Sequence, residues 1–295
     1  MPNTSSQNSF ARQRIQKTFA ELCDGLKCAA QEPRKKTVHH LRTNTRRLES
    51  LIENCLPPNS EKKLQRELKK LRRLAGEVRD VDVLTDLVDD LESRDPDRGR
   101  AFVTAKLDLM RARTEKLLLQ QLSPGLLDTL NGMLKQCERK LLTSVAHANG
   151  QPDPLDTALQ QYMDLTREFE PLDGNNLHEF RKACKQVRYL AELGVEGGNK
   201  EKALDQLKQI QDGIGDWHDL LILEDIARKA LKHPKRSALL DELQKAQENK
   251  FQEALKACHN AKQELLRLQL ERMVGRRKQP RSTGRSAGRK NARAA

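Results

Sequence analysis

The residues best suited to chemistry are one histidine and two basic residues at helical spacing, and this set occurs twice. The first copy is His39, Arg42 and Arg46, and the second is His178, Arg181 and Lys185. Because helical positions i, i+3 and i+7 lie on one face, each copy predicts a cationic stripe beside the apolar stripe of its helix. Arginine offers a planar fork to phosphate oxygens, lysine a compact charge, and histidine a group that a bound anion can draw into its charged form. The pattern predicts a polyanion site, although a single basic stripe is more often an ordinary solvated helix face.

A constant offset relates the two copies. Each member of the first copy lies 139 positions before its counterpart, and the same offset relates Gly76 to Gly215 and Asp80 to Asp219. A register kept over this length predicts a duplicated helical unit. We expect Gly76 and Gly215 to follow helix ends, and Asp80 and Asp219 to orient neighbouring cations or to cap the helix that follows.

Composition favours an all-α fold. Aromatic residues make up only 3% of the chain and charged residues 33%, and helical periodicity continues almost throughout. Helices are predicted near residues 9–30, 36–55, 60–75, 79–93, 97–122, 124–147, 154–170, 175–194, 199–213, 216–232 and 235–269. The duplication divides them into a first half, 9–148, and a second half, 153–270. We expect residues 1–8 and the tail 271–295 to be disordered.

The net charge of +13 is concentrated in the tail, which holds nine basic residues and no acid from Arg272 onward. Such an arm is typical of proteins that bind nucleic acid without sequence preference. No apolar run reaches the roughly 18–20 residues that a membrane span needs, and the N-terminus lacks the apolar stretch of a signal peptide. We therefore expect a cytoplasmic protein that does not associate with a membrane. Nothing in the chain predicts its oligomeric state.

Six cysteines are present, without a CxxC pair. Most fall at expected core positions, which favours reduced thiols over disulfides or a metal site. We expect no bound metal and no cofactor.

Four segments resemble the motifs of the CHAD domain, the conserved-histidine α-helical domain. Residues 38–47 are similar to the family's first motif and 177–189 to its second, while 74–84 and 214–220 resemble the motifs that follow each. The resemblance extends over roughly residues 9–270. It implies two pseudo-symmetric helical bundles with a basic groove or pore between them, binding of inorganic polyphosphate, and association with polyphosphate granules. The chain departs from the pattern at Phe180, Gln186 and Glu49, and the last of these replaces a frequent arginine.

The residues that we predict to bind polyphosphate lie on the two repeated helices and on the helices that follow them. They are His39, Arg42, Arg46, Arg47, Lys69, Arg72, Arg73, Arg79, His178, Arg181, Lys182, Lys185, Arg188, Tyr189 and Lys208. No catalytic residue is predicted, and the expected function is binding without turnover.

Two other functions remain open. A nucleic-acid-binding protein that uses the C-terminal tail would fit the charge, but single-strand binders rely on aromatic stacking, for which this chain has few residues. An enzyme acting on phosphoanhydrides would need a metal-binding carboxylate cluster or a glycine-rich phosphate loop. The only ExE motif, Glu168-Phe169-Glu170, falls in a helical region and is followed by Pro171, which disfavours an enzyme site at these two glutamates.

Overall fold

The computed structural model describes residues 4–91, 99–147, 153–194, 197–231 and 237–277. Within these ranges the chain forms nine α-helices and no strand, which confirms the all-α prediction. In chain order the helices are α1 Thr4–Gln31, α2 Lys35–Cys55, α3 Lys62–Asp89, α4 Gly99–Gln121, α5 Pro124–His147, α6 Pro154–Glu168, α7 Leu177–Ala191, α8 Gly198–Ala230 and α9 Ala238–Arg277. None of the described helices is long and apolar enough to cross a membrane.

Two helices each join a pair of helices that the sequence predicts as separate, and a glycine lies at both junctions. α3 runs without interruption through Gly76, and α8 runs through Gly215. The prediction that these glycines follow helix ends is therefore wrong, as is a capping role for Asp80 and Asp219. A glycine inside a helix costs about 0.5–1 kcal/mol relative to alanine. The tertiary contacts of the two glycines, described below, account for their presence.

The ends of the chain are also more helical than expected. α1 begins at Thr4, inside the segment 1–8 that was expected to be disordered, and α9 continues to Arg277, inside the expected tail. Residues 278–295 and the predicted boundary between the halves near residue 150 lie outside the described residues.

Each half of the chain has its own hydrophobic core. The first core is built by α1, α2, α5, the first part of α3 and the end of α4, with Leu22, Leu41 and Leu68 fully buried. The second core is built by α6, α7, the first part of α8 and the later part of α9, around side chains such as Tyr162 and Phe180. Both cores place an amphipathic helix, α2 or α7, with one face inward.

A third core joins the halves. It combines Val81 and Leu84 of α3, Leu107 of α4, Leu223 of α8 and Leu243 of α9, all buried. α3 and α8 therefore each begin in the core of their own half and end in the shared core. α2 also contacts α7, and α3 contacts α8, so the two helices that carry the predicted cationic stripes meet.

Candidate functional site

α2 and α7 bury the apolar stripes that the sequence predicts. Leu41 and Leu48 of α2 and Phe180 and Cys184 of α7 are almost completely buried. The predicted cations lie along the edges of these stripes. Arg42, Arg46, Arg181 and Arg188 are half-buried, and Lys185 is only 9% exposed. They do not form the fully solvated face that an ordinary basic stripe would show.

The two stripes converge where α2 meets α7. Arg42 and Arg46 from α2 and Arg181 and Lys185 from α7 form what we call the interhelical cation cluster. The pKa of Lys185 falls to about 6, mainly because the side chain is buried. Its three partners add to this effect, in descending order Arg181, Arg46 and Arg42. Burial also lowers the pKa of Arg46, whose Nε is buried without a hydrogen-bond partner in the described part of the chain.

Two aspartates border the cluster. Asp80 of α3 lies 3.9 Å from Arg42 Nη2 and leaves 59% of its side chain open to water. Dense protein on its other sides nevertheless raises its pKa, and the charges of Arg42, Lys185 and Arg181 oppose that shift. Burial lowers the pKa of Arg181, and Asp219 of α8 is the strongest charge acting in the opposite direction. Both aspartates thus interact with neighbouring cations, as predicted.

The two mid-helix glycines make room for the arginines of the cluster. A Cβ atom added to Gly215 would lie 2.5 Å from Arg181 Nη2, and one added to Gly76 would lie 3.5 Å from Arg42 Nε. The first distance is a clash and the second is ordinary contact. Each arginine therefore passes over the backbone of the next helix at a position without a side chain, and Arg181 is the more tightly fitted.

Gln211 of α8 fixes the arginines of α7. Arg181 Nε donates to the Gln211 backbone oxygen at 2.9 Å, and Arg188 Nε donates to its side-chain oxygen at 3.0 Å. The Gln211 side-chain amide donates to the Cys184 carbonyl at 3.2 Å, back on α7. Gln211 is buried, so these hydrogen bonds hold both guanidinium groups in defined positions.

At the corresponding positions in the first half of the chain, an acidic and a basic residue replace the arginine and the glutamine. Glu49 and Arg72 occupy the places of Arg188 and Gln211 when the 139-residue offset is applied. Arg72 Nε lies 2.7 Å from Glu49 Oε2, although its N–H is not aligned for a hydrogen bond. Burial raises the pKa of Glu49, and Arg72 opposes that shift. The acid at residue 49 thus removes one cation and neutralises a second.

One buried carboxylate connects the two halves. Glu192, at the end of α7, receives hydrogen bonds from Arg14 Nη2 at 3.0 Å, Arg47 Nε at 3.1 Å and Arg188 Nη1 at 3.1 Å. Arg47 also lies 3.7 Å from Glu21. The structure therefore places Arg47, a predicted phosphate ligand, in a network with two acids.

The pKa values of both predicted histidines are lowered, which favours the neutral imidazole at pH 7. The pKa of His178 is lowered to about 4, first by burial and then by His218, whose ring stacks on it at 3.9 Å between centroids. The pKa of His39 is lowered by burial and by Arg79. The Nδ1 of His178 is buried without a hydrogen-bond partner among the described residues.

The remaining predicted residues lie around the cluster. Several are exposed or half-buried cations with an acid nearby on the same helix: Arg73 with Glu77 at 2.6 Å, Arg79 with Asp86 at 3.9 Å, Lys182 with Glu179 at 2.7 Å, and Lys208 with Asp212 at 2.6 Å. Lys69 is exposed, and Tyr189 is buried beside Arg46. The described residues contain no group of three or more acids, histidines or cysteines placed to hold a metal ion.

Three residues of the site were not predicted: Gln211, His218 and Glu192. The constant sequence offset carried a signal for two of them, since it aligns Gln211 with Arg72 and His218 with Arg79, both predicted residues. No sequence signal identifies Glu192, because its partners Arg14 and Arg47 come from positions 178 and 145 residues away.

Comparison with known proteins bears on the fold and the family of the chain. No protein in a curated collection matches the chain. Among solved structures, the CHAD domain from the plant Ricinus communis superimposes with a TM-score of 0.58 at 19% identity, over 90% of this chain and 87% of that one. PptA from Streptomyces chartreusis gives a TM-score of 0.57 at 14% identity, over 90% of this chain and all of that one (100%). At such identities the two structures establish a shared fold. The CHAD domain model matches residues 13–228, well over half of the sequence, and the chain therefore belongs to the CHAD domain family.

Proposed function

We propose that this protein binds inorganic polyphosphate, without turnover, through the interhelical cation cluster. The observation that carries the proposal is the convergence of Arg42 and Arg46 with Arg181 and Lys185 where the two repeated helices meet. Burying like charges together is unfavourable unless an anion neutralises them. Asp80 and Asp219 supply part of that neutralisation, and the phosphate groups of a ligand would supply the rest.

The chemistry of the cluster favours phosphate chains over nucleic acids. Polyphosphate carries about one charge per phosphate and has no bases, so a binder needs cationic forks and no stacking surface. Three large aromatic side chains lie near the site, and Phe180, Tyr189 and Trp217 are all buried. They are not available to stack on bases.

The proposed ligand path is a groove between the two halves, related by an approximate internal twofold. The surroundings of Asp80 support a concave surface at this place. Its side chain is open to water, and yet enough protein lies around it to raise the pKa of its carboxyl group. The residue ranges of the helices support an internal duplication of the chain. When shifted by 139 positions, α2 overlaps α7 and α3 overlaps α8 over almost their whole lengths.

The acids of the site support binding rather than catalysis. Asp80 and Asp219 act on the cations Arg42 and Arg181, so their charges serve to neutralise basic side chains of the site. Within the proposal, the protein is cytoplasmic and is recruited to polyphosphate granules through this site.

A salt titration with competing polyanions tests the proposal. The chain truncated after Arg277 keeps Arg272, which pairs with Asp153 at 2.6 Å and also with Asp156. We expect it to bind long-chain polyphosphate with a steep dependence on salt and at least about 10-fold more tightly than single-stranded or duplex DNA. Orthophosphate release, measured in the same samples with magnesium, should not exceed that of a protein-free control.

Loss of all polyanion binding with the tail would overturn the proposal. Such a loss would assign polyanion binding to residues 278–295 and would favour a nucleic-acid-binding function. Release of orthophosphate by the truncated chain would mean that the protein hydrolyses polyphosphate, which contradicts binding without turnover.

A further inference from the structure

The two cationic stripes end differently. The offset of 139 positions aligns Glu49 of α2 with Arg188 of α7. The same offset aligns Arg72 of α3 with Gln211 of α8. The stripe on α7 therefore continues from Lys185 to a further cation, whereas the stripe on α2 ends at an acid. A carboxylate in this place supplies the negative charge that a phosphate group would otherwise bring to the cations beside it.

Glu49 and Arg72 form an ion pair of one acid with one cation. Arg72 Nε lies 2.7 Å from Glu49 Oε2, and the two side chains are only 28% and 16% exposed. Because the pair is partly withdrawn from water, salt screens the attraction between its charges less than it would screen an exposed pair. The charge of Arg72 is therefore committed to Glu49 in the free protein.

The ion pair adjoins the interhelical cation cluster through Arg46. Burial raises the pKa of Glu49, and the charges of Arg72 and Arg46 oppose that shift. Burial is also the main cause of the lowered pKa of Arg46, to which the charges of Arg42 and Arg72 add. Glu49 and Arg72 thus lie within electrostatic reach of one member of the cluster, where the stripe on α2 ends.

The second half keeps an excess of positive charge at the corresponding place. Arg188 Nε donates to the Gln211 side-chain oxygen at 3.0 Å, and its Nη1 donates to Glu192 at 3.1 Å. The same carboxylate also accepts from Arg14 and Arg47, so Arg188 is not neutralised one to one. Its guanidinium group is held in position and retains charge for a ligand.

We propose that Glu49 ends the polyphosphate path in the first half by withholding Arg72 from the ligand. Beyond the interhelical cation cluster, the ligand then follows the second half, where Arg188 extends the path. This inference rests on the proposed function and adds to it a residue that determines specificity. Glu49 itself contacts no phosphate and acts through Arg72, so the site is asymmetric although both of its helices carry cationic stripes.

Variants with the same change in net charge test the proposal in the full chain. Glu49→Gln should free Arg72 and raise the affinity for long-chain polyphosphate by about 10-fold at fixed salt. Its logarithmic salt dependence should steepen by about 0.7, as expected for one more phosphate contact. The matched control is Glu53→Gln, since Glu53 lies one turn further along α2 and is exposed. It should change the affinity by less than about 3-fold.

A third variant copies the arrangement of the second half into the first. Glu49→Arg with Arg72→Gln reproduces the pair formed by Arg188 and Gln211 and again adds one positive charge. It should also bind polyphosphate about 10-fold more tightly. If Glu49→Gln does not fold, as judged by far-UV circular dichroism, this variant replaces it in the test.

Removal of both partners separates the release of Arg72 from a loss of repulsion. Glu49→Gln with Arg72→Gln leaves the net charge unchanged and should cancel the gain of Glu49→Gln. A gain that persists without Arg72 would overturn the proposal, because Glu49 would then act by repelling phosphate directly. Equal gains in Glu49→Gln and Glu53→Gln would also overturn it, since affinity would then follow net charge.

The inference and the proposed function fail in different experiments. Polyphosphate binding that persists in Arg42→Ala with Arg181→Ala would overturn the proposed function and this inference with it. If that variant loses binding while folded Glu49→Gln binds like the unmodified protein, the function stands and the inference is wrong. The ion pair of Glu49 and Arg72 would then be only a structural contact between α2 and α3.

Discussion

Lys185 is the cation whose ionisation is most sensitive to a bound anion. Burial and the neighbouring arginines hold its pKa at about 6, so it is largely neutral at pH 7 in the free protein. A phosphate group beside it would restore the pKa toward the ordinary value. Binding above pH 6 should therefore take up a proton at this residue.

The predicted consequence is a pH-dependent affinity. Between pH 6 and the raised pKa of the complex, polyphosphate affinity should fall as pH rises, because the complex holds a proton that the free protein does not. Calorimetry at pH 8 in buffers of different ionisation enthalpy should detect uptake of up to about one proton per site.

A matched variant identifies the group. Lys185→Met should abolish the proton uptake. His178→Gln should preserve it, since a pKa of about 4 keeps His178 neutral across this range unless the ligand raises it by several units. Uptake that disappears with His178 and persists without Lys185 would contradict this account, and would restore the histidine to the protonated role that the sequence suggests.

The two glycines allow a test of arginine placement without removing any charge. Gly215→Ala should displace Arg181, whose Nη2 would lie 2.5 Å from the new Cβ, and should lower polyphosphate affinity by about 10-fold. The free energy of unfolding should change little, since alanine gains about 1 kcal/mol of helix propensity and the clashing atom is the end of a flexible side chain.

Gly76→Ala is the control for this change. Its new Cβ would make ordinary contact with Arg42 at 3.5 Å, so we expect stability to rise by about 0.5–1 kcal/mol and affinity to stay constant. Equal effects of the two variants on affinity, measured beside denaturant unfolding, would refute the fitted position of Arg181.

At the scale of helices, Glu192 is the junction between α1, α2 and α7. It accepts from Arg14, Arg47 and Arg188 and is 5% exposed. Glu192→Gln would leave three guanidinium groups without their shared charge. Breaking a buried ion pair typically costs about 3–5 kcal/mol, and we expect a loss of roughly 3 kcal/mol in the free energy of unfolding.

Glu77→Gln provides the comparison for that measurement. Glu77 pairs with Arg73 on an exposed helix face, so its neutralisation should change the free energy of unfolding by less than about 0.5 kcal/mol. A similar small effect at Glu192 would mean that the three arginines are held by packing and not by the carboxylate.

The helical elements were largely predictable, because periodicity and turn residues are local signals. The glycines show where local signals fail. Gly76 and Gly215 have the sequence context of helix ends, but their role depends on arginines from another helix. Glu192 was beyond prediction for the same reason, whereas helical spacing alone predicts that stripe residues such as His39 and Arg42 share one face of their helix.

At the scale of the whole molecule, four helices, α3, α4, α8 and α9, each contribute to two of the three hydrophobic cores. α3 and α8 begin in separate cores and end in the shared one. The sequence predicted two halves, but no local pattern indicated that their helices continue into a common core. α3 and α8 also contact each other, which links the halves on which α2 and α7 lie.

The shared core predicts that the halves unfold together. Trp217 is the only tryptophan and lies in the second core, so its fluorescence reports that half, while far-UV circular dichroism reports all helices. The two denaturation midpoints should coincide. A fluorescence transition separated from the dichroism transition would show that the halves are independent units.

The most direct test of the central claim compares two double variants with the same loss of charge. Arg42→Ala with Arg181→Ala removes one arginine of the cluster from each half. Lys17→Ala with Lys229→Ala removes one exposed cation from each half, both paired to an acid one turn away. If the cluster binds polyphosphate, the first variant should lose about 100-fold or more in affinity at fixed salt and the second less than about 3-fold. Equal losses would mean that binding follows net charge, and the interhelical cation cluster would not be the site.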